Sequence, residues 1–351
     1  MSKKHNFGAG PCILPQEVFA EAAKAVLDFN GLSILEISHR SPEFVAIMDE
    51  AQVLVKKALN VPEGYSVLFL QGGASLGFLI SAMNLVGNNK KAAYIETGVW
   101  STKAIKEAKN AGLAVDIIGS SKDKNFNYIP KNISVDNGYD YVHFTSNNTI
   151  FGTQFKSFPK FDIPVVCDMS SDIFSREINV GDFDIIYAGA QKNLGAAGST
   201  LYIVKDSILG QSSIDIPSYL DLKTHADKDS MFNTPPVFPI FTAMLNLKHL
   251  MKNGGVSEMA IKNDAKADLL YNEIDSNPFF EGNVATEDRS NMNVTFVLTD
   301  DSKADEFNKL WSDAGVVGLK GHRSAGGYRA SMYNALGIDS VQVLVNVMKS
   351  L

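Results

Sequence analysis

The sequence predicts an α/β protein, with a mostly parallel sheet in a large domain and a smaller α+β domain. Apolar strand-like runs alternate with helix-like segments from about residue 65 to 205. This alternation is typical of parallel sheets covered by helices on both faces. The proline-rich stretch NTPPVFPI (233–240) then breaks the pattern. We therefore predict a large domain over residues 15–252 and a small domain formed by residues 1–14 and 253–351.

Two amphipathic helices are predicted ahead of the alternating region. SPEFVAIMDEAQVLVKKALN (41–60) has a capping serine, a proline suited to a first helical turn and an apolar stripe. PQEVFAEAAKAVLDFNG (15–31) has a similar pattern, with Gly31 as its stop. Beyond the prolines, a long helical stretch is predicted over about 241–275, with NGG inside it.

The alternating region supplies the predicted sheet. The predicted strands lie in YSVLFLQGG (65–73), AAYIETG (92–98), YVHFTSN (141–147), VVCDMSSD (165–172) and DIIYAGA (184–190). The helices between them lie in ASLGFLISAMNLVG (74–87) and STKAIKEAKNAG (101–112). Ligands of such sheets bind beyond the carboxyl ends of the strands, so residues that follow each strand are the first candidates for a site.

Composition excludes several classes of function. The 351 residues are 45% hydrophobic and 20% charged, with a net charge of −7, which argues against general nucleic-acid binding. Cys12 and Cys167 form neither a disulfide framework nor a zinc site, so we expect no metal and a reducing compartment. No signal-like segment begins the sequence, and the apolar stretch at 76–87 is too short and mixed to span a bilayer. We expect a cytoplasmic protein.

Lys192 is the first candidate for chemistry. In YAGAQKNLGAAGST (187–200) it follows a buried strand and is surrounded by small residues. Lysine is rarely buried without a partner, and small neighbours leave space for a ligand. A solvated loop lysine is the alternative, and the run does not match a phosphate-binding P-loop. The functional interpretation is a lysine that forms an imine with a carbonyl ligand.

Asp168 and the glycine pair at 72–73 extend this interpretation. Asp168 ends another buried strand and either caps a turn or holds a cation, such as the ring nitrogen of pyridoxal phosphate. Gly72 and Gly73 stand between a strand and a helix, where free backbone N–H groups bind phosphate. The spacing is not that of a dinucleotide fingerprint, and an ordinary tight turn remains the alternative.

An aromatic residue and several basic residues complete the candidates. Trp100 stands at a strand-to-helix junction, where it either joins the core or stacks on a flat ring. Arginine matches carboxylate and phosphate geometry, although each arginine alone is also compatible with a surface ion pair. The basic candidates are His39 and Arg40 in SHR, His322 and Arg323 in GHR, and Arg329 in GGYRAS.

Several motifs together resemble those of the phosphoserine aminotransferases, which are fold-type-I pyridoxal-phosphate enzymes of the class V aminotransferase group. The resemblance extends over nearly the whole chain. The motifs are NFGAGPCILP, EISHRSPEF, QGGASLGF, TGVWSTKAIKEAK, YAGAQKNLGAAG, MFNTPPVF and LKGHRSAGGYRASMYNA. It implies fold type I, pyridoxal 5′-phosphate as cofactor, and a homodimer whose active sites are shared between chains.

The resemblance also implies residue roles. Lys192 would carry the cofactor as an imine and then move a proton, while Asp168 would pair with the ring nitrogen. The other cofactor contacts would be Ala74, Ser75, Trp100, Thr149 and Gln191, with Asn233 and Thr234 from the neighbouring subunit. Arg329 would bind the substrate α-carboxylate. The distal anion would be bound by His39 and Arg40, with His322 and Arg323 contributed by the partner subunit.

The implied reaction moves an amino group from L-glutamate to 3-phosphooxypyruvate, giving O-phospho-L-serine and 2-oxoglutarate for serine biosynthesis. The sequence leaves open whether 4-phosphohydroxy-L-threonine, of vitamin B6 synthesis, also reacts. Some relatives carry arginine at the position of Ser75 and serine at that of Ala9, so substrate affinity is open too. Three alternatives remain: a class V aminotransferase or desulfurase with another substrate, a pyridoxal-phosphate-fold binding protein without turnover, and a phosphate-binding protein without this cofactor.

Overall fold

The structure is a computed structural model that describes residues 4–351, so the first three residues of the predicted small domain lie outside the described range. The helices of the described chain are α1 Gln16–Leu27, α2 Pro42–Ala58, α3 Gly73–Asn84, α4 Val99–Asn110, α5 Leu222–Ala226, α6 Val237–Lys252, α7 Gly255–Ser276, α8 Ala304–Asp313 and α9 Ile338–Lys349. The strands are β1 His5–Asn6, β2 Tyr65–Leu70, β3 Lys91–Glu96, β4 Ala114–Ser120, β5 Tyr141–Thr145, β6 Val165–Asp168, β7 Ile185–Gly189, β8 Thr200–Lys205, β9 Phe280–Gly282, β10 Asn293–Leu298, β11 Val316–Val317 and β12 Tyr328–Ser331.

A seven-stranded sheet forms the centre of the molecule, in the order β2-β8-β7-β6-β5-β3-β4. The pairs from β7 to β4 are parallel, whereas β8 is antiparallel to both of its neighbours, β2 and β7. The predicted mostly parallel sheet is therefore confirmed. Its parallel strands end at one common edge, and this edge carries the candidate site.

Helices cover both faces of this sheet because its strands alternate apolar residues between the two sides. On β6, Val166 packs in one cluster with Phe78 of α3. Its neighbour Cys167 packs in the opposite cluster with Met48 of α2 and Leu247 of α6. The buried strands consequently read as continuous apolar runs, as expected for a parallel sheet between two helical layers.

A second hydrophobic core lies in the part of the chain that follows α6. There β9, β10 and β12 form an antiparallel sheet, and β1 pairs in parallel with β11. Phe280, Phe296 and Phe307 meet edge to face beneath this sheet. The N-terminal Phe7 belongs to the same core. The boundary of the predicted domains itself stays a prediction.

Helix ends differ in places from the predictions. Helix α1 ends at Leu27 rather than near Gly31, because Asp28 has extended backbone angles and its side chain accepts the Gly31 N–H at 2.7 Å. The predicted helical stretch 241–275 is divided into two helices at Gly254, whose φ of 94° favours glycine. Within residues 4–351, no helix combines the length and apolar character needed to cross a membrane.

Candidate active site

A cavity of about 370 Å³ opens at the carboxyl edge of the central sheet. Its wall combines strand ends, the first turns of α3 and α4, the loop after β7, and segments from the second core. The lining residues are Ala9, Gly10, Gly73, Ala74, Ser75, Trp100, Thr145, Asn147, Thr149, Ile150, Asp168, Ser170, Ser171, Gln191, Lys192, His322 and Arg329.

The fold brings most of the sequence-predicted residues together here. Those on the cavity wall are Ala74, Ser75, Trp100, Thr149, Asp168, Gln191, Lys192, His322 and Arg329. Those that do not line it are His39, Arg40, Asn233, Thr234 and Arg323. Arg40, Thr234 and Arg323 are exposed on the surface of the chain. The roles predicted for both groups stay predictions.

The resemblance assigned His322 to the partner subunit's contribution, and that assignment stays a prediction. This histidine lines the cavity of the same chain that supplies Lys192. The reason lies in the short loop between Leu319 and β12, where Arg329 N donates to Leu319 O at 2.7 Å and Gly321 N donates to Gly327 O at 2.8 Å. These two bonds hold the GHR loop beside the cavity wall. Arg323 instead lines a neighbouring surface cavity.

Lys192 follows β7 and projects its amine into the cavity. Within the described chain its Nζ has no hydrogen bond and no ion pair, and it lies 5.8 Å from the centroid of the Trp100 ring. Burial lowers the pKa of Lys192, and the Arg329 cation lowers this pKa further, whereas Asp168 opposes both effects. A lowered pKa favours the neutral amine, which is the nucleophilic form.

The N-terminal segment packs directly against the stem of this lysine. A Cβ atom added at Gly10 would lie 3.5 Å from Lys192 Cγ. Cys12 N donates to Gln191 O at 3.1 Å, which fixes the segment beside the loop. Burial raises the pKa of the Cys12 thiol to about 12, so this cysteine is a packing residue and not a nucleophile.

Asp168 ends β6 with one carboxylate oxygen fully used and the other open. Its Oδ1 accepts from Ser170 N at 2.9 Å and from Ser170 Oγ at 2.6 Å. No donor within the described residues reaches Oδ2. Burial raises the pKa of Asp168, opposed by the Ser170 hydrogen bonds and by the charge of Lys192. Such a carboxylate is stabilised in its charged form by a cationic ligand at Oδ2.

Helix α3 begins at the cavity without a side-chain cap. Gly72 precedes it with φ of 100°, and a Cβ there would lie 2.4 Å from Leu76 Cδ2, so this turn requires glycine. The N–H groups of Gly73, Ala74 and Ser75 have no acceptor among the described residues. Three free N–H groups at the positive end of a helix form a binding site for an anion such as phosphate.

Arg329 supplies a second anion-binding group at another part of the wall. Its Nη1 donates to Thr149 O at 2.9 Å, and Thr149 Oγ1 accepts from Trp100 Nε1 at 2.9 Å. Its buried Nε has no partner, and no carboxylate in the described chain pairs with the guanidinium. Burial lowers the pKa of Arg329, but an arginine remains charged at neutral pH. An anionic ligand would satisfy this cation.

Several cavity residues were not predicted from the sequence. Asn147 donates to Ser171 Oγ at 2.8 Å, and Ser171 Oγ donates to Asn147 O at 2.8 Å. Ser170 Oγ accepts from Gly189 N at 3.0 Å, which joins the ends of β6 and β7. The available signal was the set of small polar residues directly after predicted strands, in TSNN and DMSSD. Of these two stretches, the sequence predicted only Asp168 as a site residue.

The donor and acceptor set of the cavity fits pyridoxal phosphate. The free N–H groups of α3 suit its phosphate, and the open oxygen of Asp168 suits a protonated ring nitrogen. The unpaired amine of Lys192 suits its aldehyde. The indole of Trp100 provides an aromatic face on the same wall.

Comparisons with known proteins agree with this geometry. A family model described as aminotransferase class-V matches residues 5–344. Phosphoserine aminotransferase of Flavobacterium psychrophilum is 60% identical over 352 residues, which cover 99% of each chain. A structure described as radiation damage of the Schiff base in phosphoserine aminotransferase matches at TM-score 0.96 and 42% identity, over 100% of this chain and 99% of that chain. Phosphoserine aminotransferase of Trichomonas vaginalis with pyridoxal phosphate bound matches at TM-score 0.93 and 33% identity, over 99% and 100% of the two chains.

These likenesses confirm the predicted fold class. The TM-score of 0.96 extends over the whole described fold, so the chain has the fold-type-I architecture of pyridoxal-phosphate transferases. The family resemblance read from the motifs is confirmed by the relatives over full length.

Proposed function

The chain belongs to the phosphoserine aminotransferases of class V, and on that premise we propose that it transfers an amino group from L-glutamate to 3-phosphooxypyruvate. The products are 2-oxoglutarate and O-phospho-L-serine. The protein is a pyridoxal-phosphate-dependent transaminase.

The choice of substrates rests on the groups of the cavity that can bind an anion. The cavity holds the unpaired guanidinium of Arg329 and the imidazole of His322, in addition to the helix N-terminus that suits the cofactor phosphate. Arg329 would pair with the α-carboxylate of any amino acid, whereas an apolar side chain would leave the polar imidazole of His322 without a partner in a partly buried site. Both proposed amino acids carry an α-carboxylate and a second, distal anion. The site is therefore suited to dianionic substrates.

The cofactor would be held by the groups already described. The N–H groups of Ala74 and Ser75 would bind its phosphate, and Asp168 Oδ2 would accept from its ring nitrogen. Trp100 would lie against its ring, and Thr149 and Gln191 would contact its polar atoms. When bound, pyridoxal phosphate supplies an aldehyde for covalent amino transfer and a ring that accepts electrons from the substrate.

Lys192 and Asp168 perform the acid–base part of the reaction. The Lys192 amine, whose pKa is lowered by burial, removes the proton from the substrate α-carbon and returns a proton during the transfer. Asp168 holds a proton at the ring nitrogen through electrostatic stabilisation of that charged form. Ser170 keeps the carboxylate oriented, because both of its hydrogen bonds go to Oδ1.

Substrate anions are bound by groups at the cavity and at its rim. Arg329 binds the α-carboxylate, and His322 of the same chain contacts the distal anion. We place His39 and Arg40 at the same distal anion in the site of the partner subunit, since neither lines the cavity of its own chain. Arg323 would bind at the rim, and Asn233 and Thr234 would reach the cofactor phosphate of the other subunit.

A homodimer is part of this proposal. Leu27, Leu32 and Leu35 are exposed on the segment that leads to Arg40, and Leu27 is 85% exposed. Exposed apolar side chains that lie together mark an interaction surface, and a two-fold contact would cover both copies equally. The cytoplasmic location stays part of the proposal as well.

A half-reaction measurement tests the proposed substrates. The holoenzyme is mixed with O-phospho-L-serine, L-glutamate, L-aspartate or L-alanine in the absence of a keto acid, and the cofactor spectrum is followed. We expect conversion by O-phospho-L-serine and L-glutamate at kcat/KM values at least about 100-fold above that of L-alanine, because L-alanine lacks the distal anion. A preference for L-aspartate or L-alanine would reject the substrate assignment and leave the transaminase assignment intact.

A further inference from the structure

Thr145 has a hydroxyl group with no partner, although it is only 3% exposed. A buried hydroxyl group without a hydrogen bond is destabilising, so nearly all such groups in folded proteins have partners. In the described chain, two buried side-chain atoms without partners belong to residues of the cavity wall: Thr145 Oγ1 and Arg329 Nε. In the proposed function Arg329 binds the substrate α-carboxylate, whereas no ligand atom is assigned to the Thr145 hydroxyl.

The position of Thr145 is determined by the register of the sheet. Thr145 ends β5 as Asp168 ends β6, and the two residues are paired neighbours on these parallel strands. Paired residues on adjacent strands point to the same face of a sheet. Both residues line the cavity, so the hydroxyl lies beside the carboxylate without a hydrogen bond to it.

No protein group accepts from or donates to the hydroxyl of Thr145 in the described structure, whereas the hydroxyl groups of Ser146, Thr149 and Ser170 all have partners. Ser146 Oγ donates to Asp168 O at 3.1 Å. Thr149 Oγ1 accepts from Trp100, and Ser170 Oγ donates to Asp168. The free hydroxyl is therefore specific to Thr145 among the hydroxyl side chains at the inner end of this wall, next to the place assigned to the cofactor ring.

We propose that the Thr145 hydroxyl forms a hydrogen bond to bound pyridoxal phosphate, at the end of the ring held by Asp168. The inference rests on the proposed placement of that ring. It makes Thr145 a cofactor-binding residue whose polar group is destabilising in the apoprotein and useful only in the holoenzyme. A residue with a purely structural role would not combine these two properties.

Thr200 provides a matched control. It is also a buried threonine, 0% exposed, with an unpartnered Oγ1, and it stands on β8 and does not line the cavity. Valine has the shape of threonine with a methyl in place of the hydroxyl. Thr145→Val and Thr200→Val therefore remove the same group from the same kind of environment, and only the first change faces the ligand.

The test measures cofactor affinity and apoprotein stability in the purified full-length chain. Pyridoxal 5′-phosphate is titrated into apoprotein prepared from wild type, Thr145→Val, Thr145→Ser and Thr200→Val, and thermal unfolding is recorded without cofactor. We expect Thr145→Val to weaken cofactor binding about 5- to 30-fold, as for loss of one hydrogen bond. Its apoprotein melting temperature should equal or exceed that of wild type, because the unpaired hydroxyl is gone.

The other variants make the result decisive. Thr145→Ser keeps the hydroxyl and should bind the cofactor within about threefold of wild type, and Thr200→Val should bind as wild type does. Equal affinity of wild type and Thr145→Val would overturn the inference. Equal weakening by Thr145→Ser and Thr145→Val would overturn it too, since the methyl group and not the hydroxyl would then matter. A wild-type chain that does not bind pyridoxal phosphate would instead reject the cofactor placement on which the inference rests.

Discussion

Asp168 and Lys192 line one cavity, yet within the described chain neither forms an ion pair with the other or with any third residue. Each group is charged or reactive, and each is mostly enclosed. Burial raises the pKa of Asp168 and lowers that of Lys192, so both charged forms are disfavoured. A ligand that presents a cation to the carboxylate and a carbonyl to the amine satisfies both groups at once.

Asp168→Asn tests the electrostatic half of this relationship. The amide has nearly the same shape, so we expect retained folding and retained cofactor attachment. Proton transfer at the substrate α-carbon should slow by about 100-fold or more, because a neutral amide does not stabilise a protonated ring nitrogen. Rapid mixing with O-phospho-L-serine measures this step.

Asp172 supplies the matched control for that variant. It is equally buried, but its carboxylate is fully used by Arg176 at 3.0 Å, Gln154 at 3.1 Å and the Ser146 hydroxyl. Asp172→Asn should lower the unfolding temperature and leave proton transfer within a few-fold of wild type. An unchanged proton-transfer step in Asp168→Asn would remove Asp168 from its role.

Arg329→Lys tests α-carboxylate binding. Lysine keeps the positive charge but loses the planar pair of donors and the bond from Nη1 to Thr149 O. We expect KM for L-glutamate and for O-phospho-L-serine to rise together by about 10- to 100-fold, since both carry the α-carboxylate. Steady-state kinetics measure the two values. Arg289→Lys, which changes an arginine paired with Asp275, is the control, and a rise for one substrate alone would contradict the assignment.

Mixed dimers test which chain supplies each residue. Lys192→Ala is unfolded, mixed with an equal amount of a second variant and refolded. With Arg329→Ala we expect no recovered activity, because both residues line one cavity of one chain and every site keeps a lesion. With Arg40→Ala, half of the dimers are mixed and one of their two sites is intact, so about a quarter of wild-type activity should return. Mass spectrometry confirms that mixed dimers form, and absence of recovery with Arg40→Ala would reject its placement in the partner's site.

Lys266 lies outside the cavity, and its lowered pKa should make the free energy of unfolding depend on pH. It is 2% exposed, and its Nζ donates to the carbonyls of Met332 at 2.9 Å and Tyr333 at 3.0 Å. Burial lowers the pKa of Lys266 to about 7, whereas an unfolded lysine titrates near pKa 10.4. Between about pH 7 and pH 10 the unfolded chain therefore binds more protons, and the free energy of unfolding contributed by this residue rises with pH.

Urea unfolding of the holoenzyme at several pH values measures this contribution. The difference in unfolding free energy between wild type and Lys266→Met should increase from pH 7 to pH 10. The exposed Lys248→Met variant controls for loss of a lysine side chain. A difference that stays constant or decreases over this range would contradict a lowered pKa of Lys266.

The sequence predicted those site residues whose positions follow from strand ends. Lys192, Asp168 and the glycines before α3 each follow an apolar strand, and parallel strands place such residues at one edge. The chemistry of these residue types was enough to select them. The N-cap of α2 was also predictable, because it depends only on neighbouring residues: Ser41 precedes a proline and accepts from Phe44 N.

Other features were beyond sequence reasoning because they depend on the three-dimensional surroundings. The free hydroxyl of Thr145 depends on where every neighbouring donor and acceptor lies in three dimensions. The motif around His322 indicated anion binding, but only the path of the loop before β12 places this histidine on the cavity wall of its own chain. Edge strand β4 was not among the predicted strands, because its partly exposed residues lack a continuous apolar run.

Lys192 is the residue proposed to bind pyridoxal phosphate covalently, and peptide mapping distinguishes it from every other lysine of the chain. Borohydride makes the link between lysine and cofactor permanent, after which the protein is digested and the labelled peptide is sequenced by mass spectrometry. Lys266 is the natural competitor, because burial lowers its pKa to about 7 and hence favours a neutral amine. It does not line the cavity, however, and its amine is bonded to two carbonyls. We predict one cofactor per chain, attached at Lys192 and absent from Lys192→Ala. Attachment at Lys266 or at any other lysine would reject Lys192 as the residue that binds the cofactor.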